Sequence, residues 1–172
     1  MPESNETRTP LELVVAWLQR HGVRYVVIGG MAEVLQGGLR PTYDVDLCYD
    51  RSRDNLERLA AGLKEIDATL RGAPKDVPFS PDVRTLEFGS NFTFDTDLGP
   101  LDLLGWVEPI GDYQKVAAES REVSFGAGTV TVLDVEALIR IKEHVGRPKD
   151  MASLAELRAI REERNRRSPA PP

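Results

Sequence analysis

Val26-Val27-Ile28-Gly29-Gly30, followed after a short interval by Arg40-Pro41-Thr42-Tyr43-Asp44-Val45-Asp46-Leu47-Cys48-Tyr49, is the stretch on which the fold turns. The apolar run from Arg24 to Ile28, stopped by two glycines, reads as a buried strand. A helix from Met31 to Gln36 and a turn through Gly37-Gly38 then lead into a second strand, Tyr43 to Tyr49. On that strand Asp44, Asp46 and Cys48 share one face, while Tyr43, Val45, Leu47 and Tyr49 share the other.

Residues two apart on a strand point the same way, so the carboxylates of Asp44 and Asp46 converge. Each raises the other's proton affinity unless a cation compensates, and oxygen donors of this kind suit a hard divalent ion. The bland alternative is a strand face turned to solvent, where carboxylates ordinarily sit. A third acid, Asp102, stands alone in Leu101-Asp102-Leu103-Leu104, where an unpaired charge would be costly. If its strand lies beside that of Asp46, the three acids can coordinate one or two Mg²⁺ ions, and Asp102 is best placed to help deprotonate an attacking hydroxyl. The competing expectation for Asp102 is a salt bridge to a nearby arginine. Gly29-Gly30, where a strand meets a helix, lets the backbone approach phosphate closely, although Gly-Gly alone is an ordinary turn.

Working outward, Thr9-Pro10-Leu11-Glu12 predicts a capping box opening a helix that stops at Gly22. A further helix is expected from Ser52 to Ile66, and a long loop from Arg71 to Asp82. Leu86–Phe88, Asn91–Asp95 and Leu101–Trp106 are strand candidates. Arg121–Phe125 and Thr129–Leu133 make a hairpin about Gly126-Ala127-Gly128. Asp134 caps a helix carrying Leu138, Ile141 and Lys142, and a last helix covers Lys149 to Arg164. Asp95 and Asp97 are assigned to a loop before Gly99-Pro100, Asp150 to a cap or ion pair, and His21 and His144 to helix ends. Strands and helices without strict alternation predict an α+β fold, a short mixed β-sheet flanked by helices.

The 172 residues, 41% hydrophobic and 29% charged, fit one domain over residues 9–165, with a disordered N-terminus over 1–8 and a flexible tail over 166–172. The apolar runs are far shorter than the roughly 20 residues that span a bilayer, so a cytoplasmic protein with no membrane partner is expected. The single cysteine, Cys48, excludes an internal disulfide or a cysteine metal cage. A formal charge of −6 opposes broad binding of nucleic acid. A local basic face could still form from Arg158, Arg161, Arg164, Arg166 and Arg167, and a solvated helix end is the preferred reading.

Gly29-Gly30, Arg40, Thr42, Asp44-Val45-Asp46 and Leu101-Asp102-Leu103 together resemble the polymerase-beta-like nucleotidyltransferase superfamily, in particular its AbiEii-type and related small members from bacterial toxin and antitoxin systems. Asp134 through Lys142, followed by Gly146-Arg147-Pro148-Lys149-Asp150, resembles the family's C-terminal helical motif, and the likeness covers residues 11–160. It implies the nucleotidyltransferase fold, a nucleoside triphosphate donor such as ATP, and Mg²⁺ or Mn²⁺ as cofactor. It also implies Asp44, Asp46 and Asp102 as metal ligands and catalytic residues, and Gly29, Gly30, Arg40, Thr42 and Lys142 as nucleotide-binding residues. The reaction it implies moves a nucleoside monophosphate onto an acceptor hydroxyl of a tRNA 3′ end, a protein or a small molecule, with release of pyrophosphate; a cognate toxin or antitoxin is an implied partner. One departure is Gly30, where many active members carry serine. The alternative is a degenerate nucleotidyltransferase-fold binding protein acting as an antitoxin or regulatory partner.

Overall fold

The structure, a computed structural model, describes residues 8–168; the segments 1–7 and 169–172, part of the expected disordered ends, lie outside the described residues. Helix α1 (Pro10–His21) begins as the sequence predicts. The Thr9 side chain accepts from the Glu12 N–H, the Glu12 carboxylate accepts from the Thr9 N–H, and Gly22 closes the helix in the left-handed region at φ 65°. Strand β1 (Tyr25–Ile28) runs into α2 (Gly29–Leu35), so the two glycines form the first turn of the helix and do not precede it. Strand β2 (Val45–Tyr49) starts two residues later than the alternation predicts, which leaves Asp44 exposed at its entrance.

The next elements are α3 (Arg53–Glu65), β3 (Thr69–Leu70), α4 (Val83–Phe88), β4 (Asn91–Asp95) and β5 (Leu101–Leu104). Leu86–Phe88, expected as a strand, lies in α4. The cause is local: the Asp82 carboxylate accepts from the Thr85 N–H at 2.8 Å and caps a helical turn that buries Leu86. Asp95 closes β4, so it is a strand residue, whereas Asp97 lies in the following turn. Then come α5 (Tyr113–Ala118), which the sequence did not announce, and the hairpin β6 (Ser120–Phe125) and β7 (Gly128–Leu133). Helix α6 (Val135–Val145) is capped by Asp134, whose carboxylate accepts from Val135 N–H at 2.8 Å. A 3-10 turn (Pro148–Asp150) leads to α7 (Met151–Arg167), which carries Arg166 and Arg167 inside the helix.

Among the described residues, seven strands form one sheet in the order β3-β4-β5-β2-β1-β7-β6. The β2/β5 and β1/β7 pairs are parallel and the others antiparallel, so this is the short mixed sheet with flanking helices that the sequence predicts. Alternate strand residues bury Val45, Leu47, Leu101, Leu103 and Phe94 against helices that carry Leu18, Leu56, Leu59 and Leu63. Removing these side chains from water supplies the main driving force of folding.

The α1/α3 contact is close enough to test. Trp17 is 1% exposed, and its Nε1–H donates to the Gly62 carbonyl at 3.0 Å. A Cβ on Gly62 would stand 2.8 Å from Trp17 Cζ2. Alanine for glycine inside a helix ordinarily gains about 1 kcal/mol. Here we expect Gly62→Ala to cost about 2 kcal/mol through overpacking, lowering the thermal midpoint by roughly 6 °C in a calorimetric scan.

Candidate active site

The sheet register assembles the acids. Asp46 pairs with Asp102 across the parallel β2/β5 ladder and with Ile28 across the antiparallel β1/β2 ladder. In-register neighbours project to the same face, so the two carboxylates stand side by side at the point where β1 gives way to Gly29. Burial, then the charges of Asp102 and Asp44, push the Asp46 carboxyl up to about 6, and Arg71 opposes the rise. Asp44 therefore acts on Asp46 from outside the strand, at its exposed entrance.

Gly29 sits at φ +64°, and a Cβ there would collide with the Asp46 carboxylate, 3.1 Å from its Cγ. The glycine is thus required twice, by its backbone conformation and by the acid beside it. At Gly30 a Cβ would meet Oγ1, Cβ and Cγ2 of Thr42 at 3.1–3.2 Å. The side chain of Thr42 occupies the space that a serine at position 30 would need.

A cavity of about 460 Å³ opens beside these groups, lined by Gly29, Gly30, Asp46 and Lys142 and by an apolar wall that includes Trp106, Leu138 and Ile141. Lys142 Nζ lies 2.9 Å from Glu33 Oε1 and 3.4 Å from Asp150 Oδ1, while Arg147 Nε donates to Asp150 Oδ2 at 2.7 Å. Glu33 and Asp150 are 5% and 7% exposed. Arg147 first, then Lys142, hold the Asp150 carboxyl below its ordinary range. Asp150 is thus an ion-pair residue, as expected. Lys142 donates to Asp150 Oδ1, while Glu33 Oε1 stands in charge contact without an aligned hydrogen bond, so the ammonium keeps N–H donors for a ligand. Arg40 is exposed and lines a separate apolar groove with Met31, Val34, Leu39 and Tyr43, and Thr42 lies between this groove and Gly30.

The salt bridge to an arginine expected for Asp102 is present, beside the acid pair. Asp102 neighbours Asp46, and it also faces Arg71, whose Nη2 stands 3.1 Å from its Oδ1. That oxygen is buried and makes no aligned hydrogen bond. Arg71 and Glu33 were not legible as site residues, because tertiary contact alone brings them here. Among the described residues no three His, Cys, Asp or Glu side chains are grouped as they stand to hold a metal ion. The donor chemistry nevertheless fits a hard divalent cation: all-oxygen carboxylates, two of them mutually repelling, one with a buried oxygen short of a hydrogen bond.

The basic end of α7 is paired. Arg158 meets Glu143 at 2.8 Å, Arg161 meets Glu136 at 3.7 Å and Arg164 meets Asp134 at 2.8 Å; Arg166 and Arg167 both meet Glu163. No helix among the described residues is long and apolar enough to cross a membrane.

No family profile and no curated protein sequence matches this chain. Solved structures do. The lincosamide antibiotic adenylyltransferase LnuA in its lincomycin-bound form is 16% identical, with a TM-score of 0.58, over 91% of this chain and 98% of that one. A putative nucleotidyltransferase from Thermotoga maritima is 18% identical, with a TM-score of 0.55, over 85% and 88% of the two chains. The antibiotic-resistance factor ANT(2″)-Ia is 14% identical, with a TM-score of 0.54, over 92% and 90%. The seven-stranded mixed sheet and its helices are therefore a nucleotidyltransferase fold.

Proposed function

We propose that this chain is a nucleotidyltransferase dependent on Mg²⁺ or Mn²⁺, moving a nucleoside monophosphate from a nucleoside triphosphate to an acceptor hydroxyl with release of pyrophosphate. The observation that carries this reading is the in-register pairing of Asp46 with Asp102 directly against Gly29. Asp46 and Asp102, with Asp44 at the strand entrance, are the residues that would hold the metal. When bound, it would neutralise the triphosphate and lower the proton affinity of the attacking hydroxyl.

The chain's own residues supply the rest. Gly29 and Gly30 line the cavity at the first turn of α2, where their backbone N–H groups would meet the phosphates, with Thr42 packed against Gly30. Lys142, held between Glu33 and Asp150, offers an N–H to a phosphate oxygen. Trp106, Leu138 and Ile141 form a wall suited to the flat apolar face of a base. The acceptor oxygen forms a bond to the α-phosphorus as the bond from that phosphorus to the bridging oxygen breaks. Asp102 takes the hydroxyl proton, and pyrophosphate leaves.

Among acceptors, a small hydroxylated molecule is favoured. The arginines that would have contacted a tRNA are matched by acids on α6, its cap and α7. LnuA, which spans nearly the same length, binds lincomycin. The AbiEii-type branch, and with it a toxin or antitoxin partner, rests on the sequence motif alone. The test is to incubate the chain with each α-labelled triphosphate, Mg²⁺ or Mn²⁺, and aminoglycosides, lincosamides or tRNA, reading pyrophosphate and labelled acceptor. Metal-dependent label on a small molecule is expected. Label on tRNA only would overturn the acceptor class, and triphosphate binding with no pyrophosphate from any acceptor would favour the degenerate binding protein.

A further inference from the structure

Arg71 opens the long loop over residues 71–82, yet its side chain belongs to the acid cluster. Its backbone N–H donates to the Thr93 carbonyl at 2.9 Å, its Nε to Asp95 Oδ1 at 3.1 Å, and its Nη2 to the Phe94 carbonyl at 2.8 Å. These three bonds grip the residue on β4 without help from Asp102. The guanidinium is thereby held 3.1 Å from Asp102 Oδ1, in charge contact but out of line for a hydrogen bond. A side chain anchored elsewhere, and set against a carboxylate it does not properly bond, acts there as a fixed positive charge.

Building on the metal site proposed above, we propose that Arg71 is the resident counter-cation of Asp102, competing with the divalent metal for that carboxylate and so making metal occupancy depend on the arrival of the triphosphate. Without nucleotide, a dication beside Asp46 and Asp102 feels the guanidinium's repulsion at short range, where the medium screens it only partly. The triphosphate adds negative charge to the cavity that Asp46 lines, next to Asp102, and tips the balance toward the metal. Metal and nucleotide then bind as a unit, a coupling that by linkage is reciprocal. A lysine at position 71 would preserve the charge; an uncharged residue would not.

The experiment is Mn²⁺ binding to the full chain, followed by the free-ion electron paramagnetic resonance signal, with and without a non-hydrolysable triphosphate. Wild type should bind Mn²⁺ weakly alone and more tightly with nucleotide. Arg71→Gln should bind Mn²⁺ alone about tenfold more tightly, with the nucleotide's effect on Mn²⁺ reduced, while Arg71→Lys, which keeps the charge without the two guanidinium anchors, should fall between wild type and Arg71→Gln. Equal or weaker Mn²⁺ binding by Arg71→Gln would overturn the role of Arg71 alone. Absence of Mn²⁺ binding from wild type and variant, with and without nucleotide, would overturn the metal site and this proposal together. A measurement free of any folding defect in the variants uses wild type: Mg²⁺ should shift the Arg71 amide resonance, and a resonance indifferent to bound Mg²⁺ would equally overturn the competition.

Discussion

Asp46→Asn is expected to abolish nucleotidyl transfer while making the metal-free protein more stable. The substitution keeps the shape of the side chain and removes its charge. If Asp46 holds the metal as proposed, its loss forfeits several kcal/mol of transition-state stabilisation, so transfer should fall by at least about a thousandfold. Stability moves the other way because the carboxylate is strained where it stands. Burial, Asp102 and Asp44 hold its folded value at about 6, above the ordinary carboxyl range. The folded chain therefore keeps a proton that the unfolded chain has released between about pH 4 and 6. That contribution is fully present below about pH 4 and is lost as pH rises through about 6. At pH 7 the ionised group thus burdens the metal-free fold by on the order of 3 kcal/mol, which the neutral amide relieves. Thermal melts of both proteins in chelator at pH 5 and 7 would check this: the advantage of Asp46→Asn should grow with pH. An advantage independent of pH would mean that Asp46 does not carry the charge stress assigned to it.

The three acids are legible in the sequence because each departs from a local pattern. Spacing along one strand marked Asp44 and Asp46, and the lone acid between leucines marked Asp102, because a charge inside an apolar run is anomalous in sequence alone. Their meeting depended on β2 and β5 being neighbours in register, which the sequence posed only as a condition and the ladder fulfils. Capping chemistry was legible for the same reason of locality: Thr9 with Glu12, and Asp134 before α6, act within four residues. Asp82 before α4 has the same chemistry, but the β-like run Thr85-Leu86-Glu87-Phe88 obscured it. Helix α5, six residues long, is too short for its period to stand out. Arg71 and Glu33 were invisible for a different reason. They are set by the folding of one element over another, across 31 residues from Arg71 to Asp102 and 109 from Glu33 to Lys142, and no local pattern encodes a contact of that kind. Lys142 lines the cavity, and its restraint by two buried acids has no local signal in the sequence.

Gly29→Ala is expected to be nearly as damaging to transfer as loss of Asp46, and unlike it to destabilise the fold. Two separate penalties meet at this position. A residue with a Cβ held at φ +64° costs about 1–2 kcal/mol. The new methyl would also collide with Asp46 Oδ2 and press on the Asp46 Cβ at 3.2 Å, so the carboxylate must swing away from Asp102 or β1 and β2 must part. Displacing a reacting group by about 1 Å costs on the order of a hundredfold in rate, so transfer should fall by at least that factor. Gly30 offers the contrast. A methyl there meets Oγ1, Cβ and Cγ2 of Thr42 at 3.1–3.2 Å, which asks for a small shift of Thr42 and carries no left-handed backbone strain, so Gly30→Ala should be the milder change. The two penalties at Gly29 can be separated by combining Gly29→Ala with Asp46→Ala, measuring thermal stability and transfer together. Truncating the acid removes the collision and leaves the backbone strain, so the double variant should recover part of the stability lost by Gly29→Ala while staying inactive. Additive losses in the double variant would mean that the two residues do not touch, and the glycine would then serve only the turn of the chain.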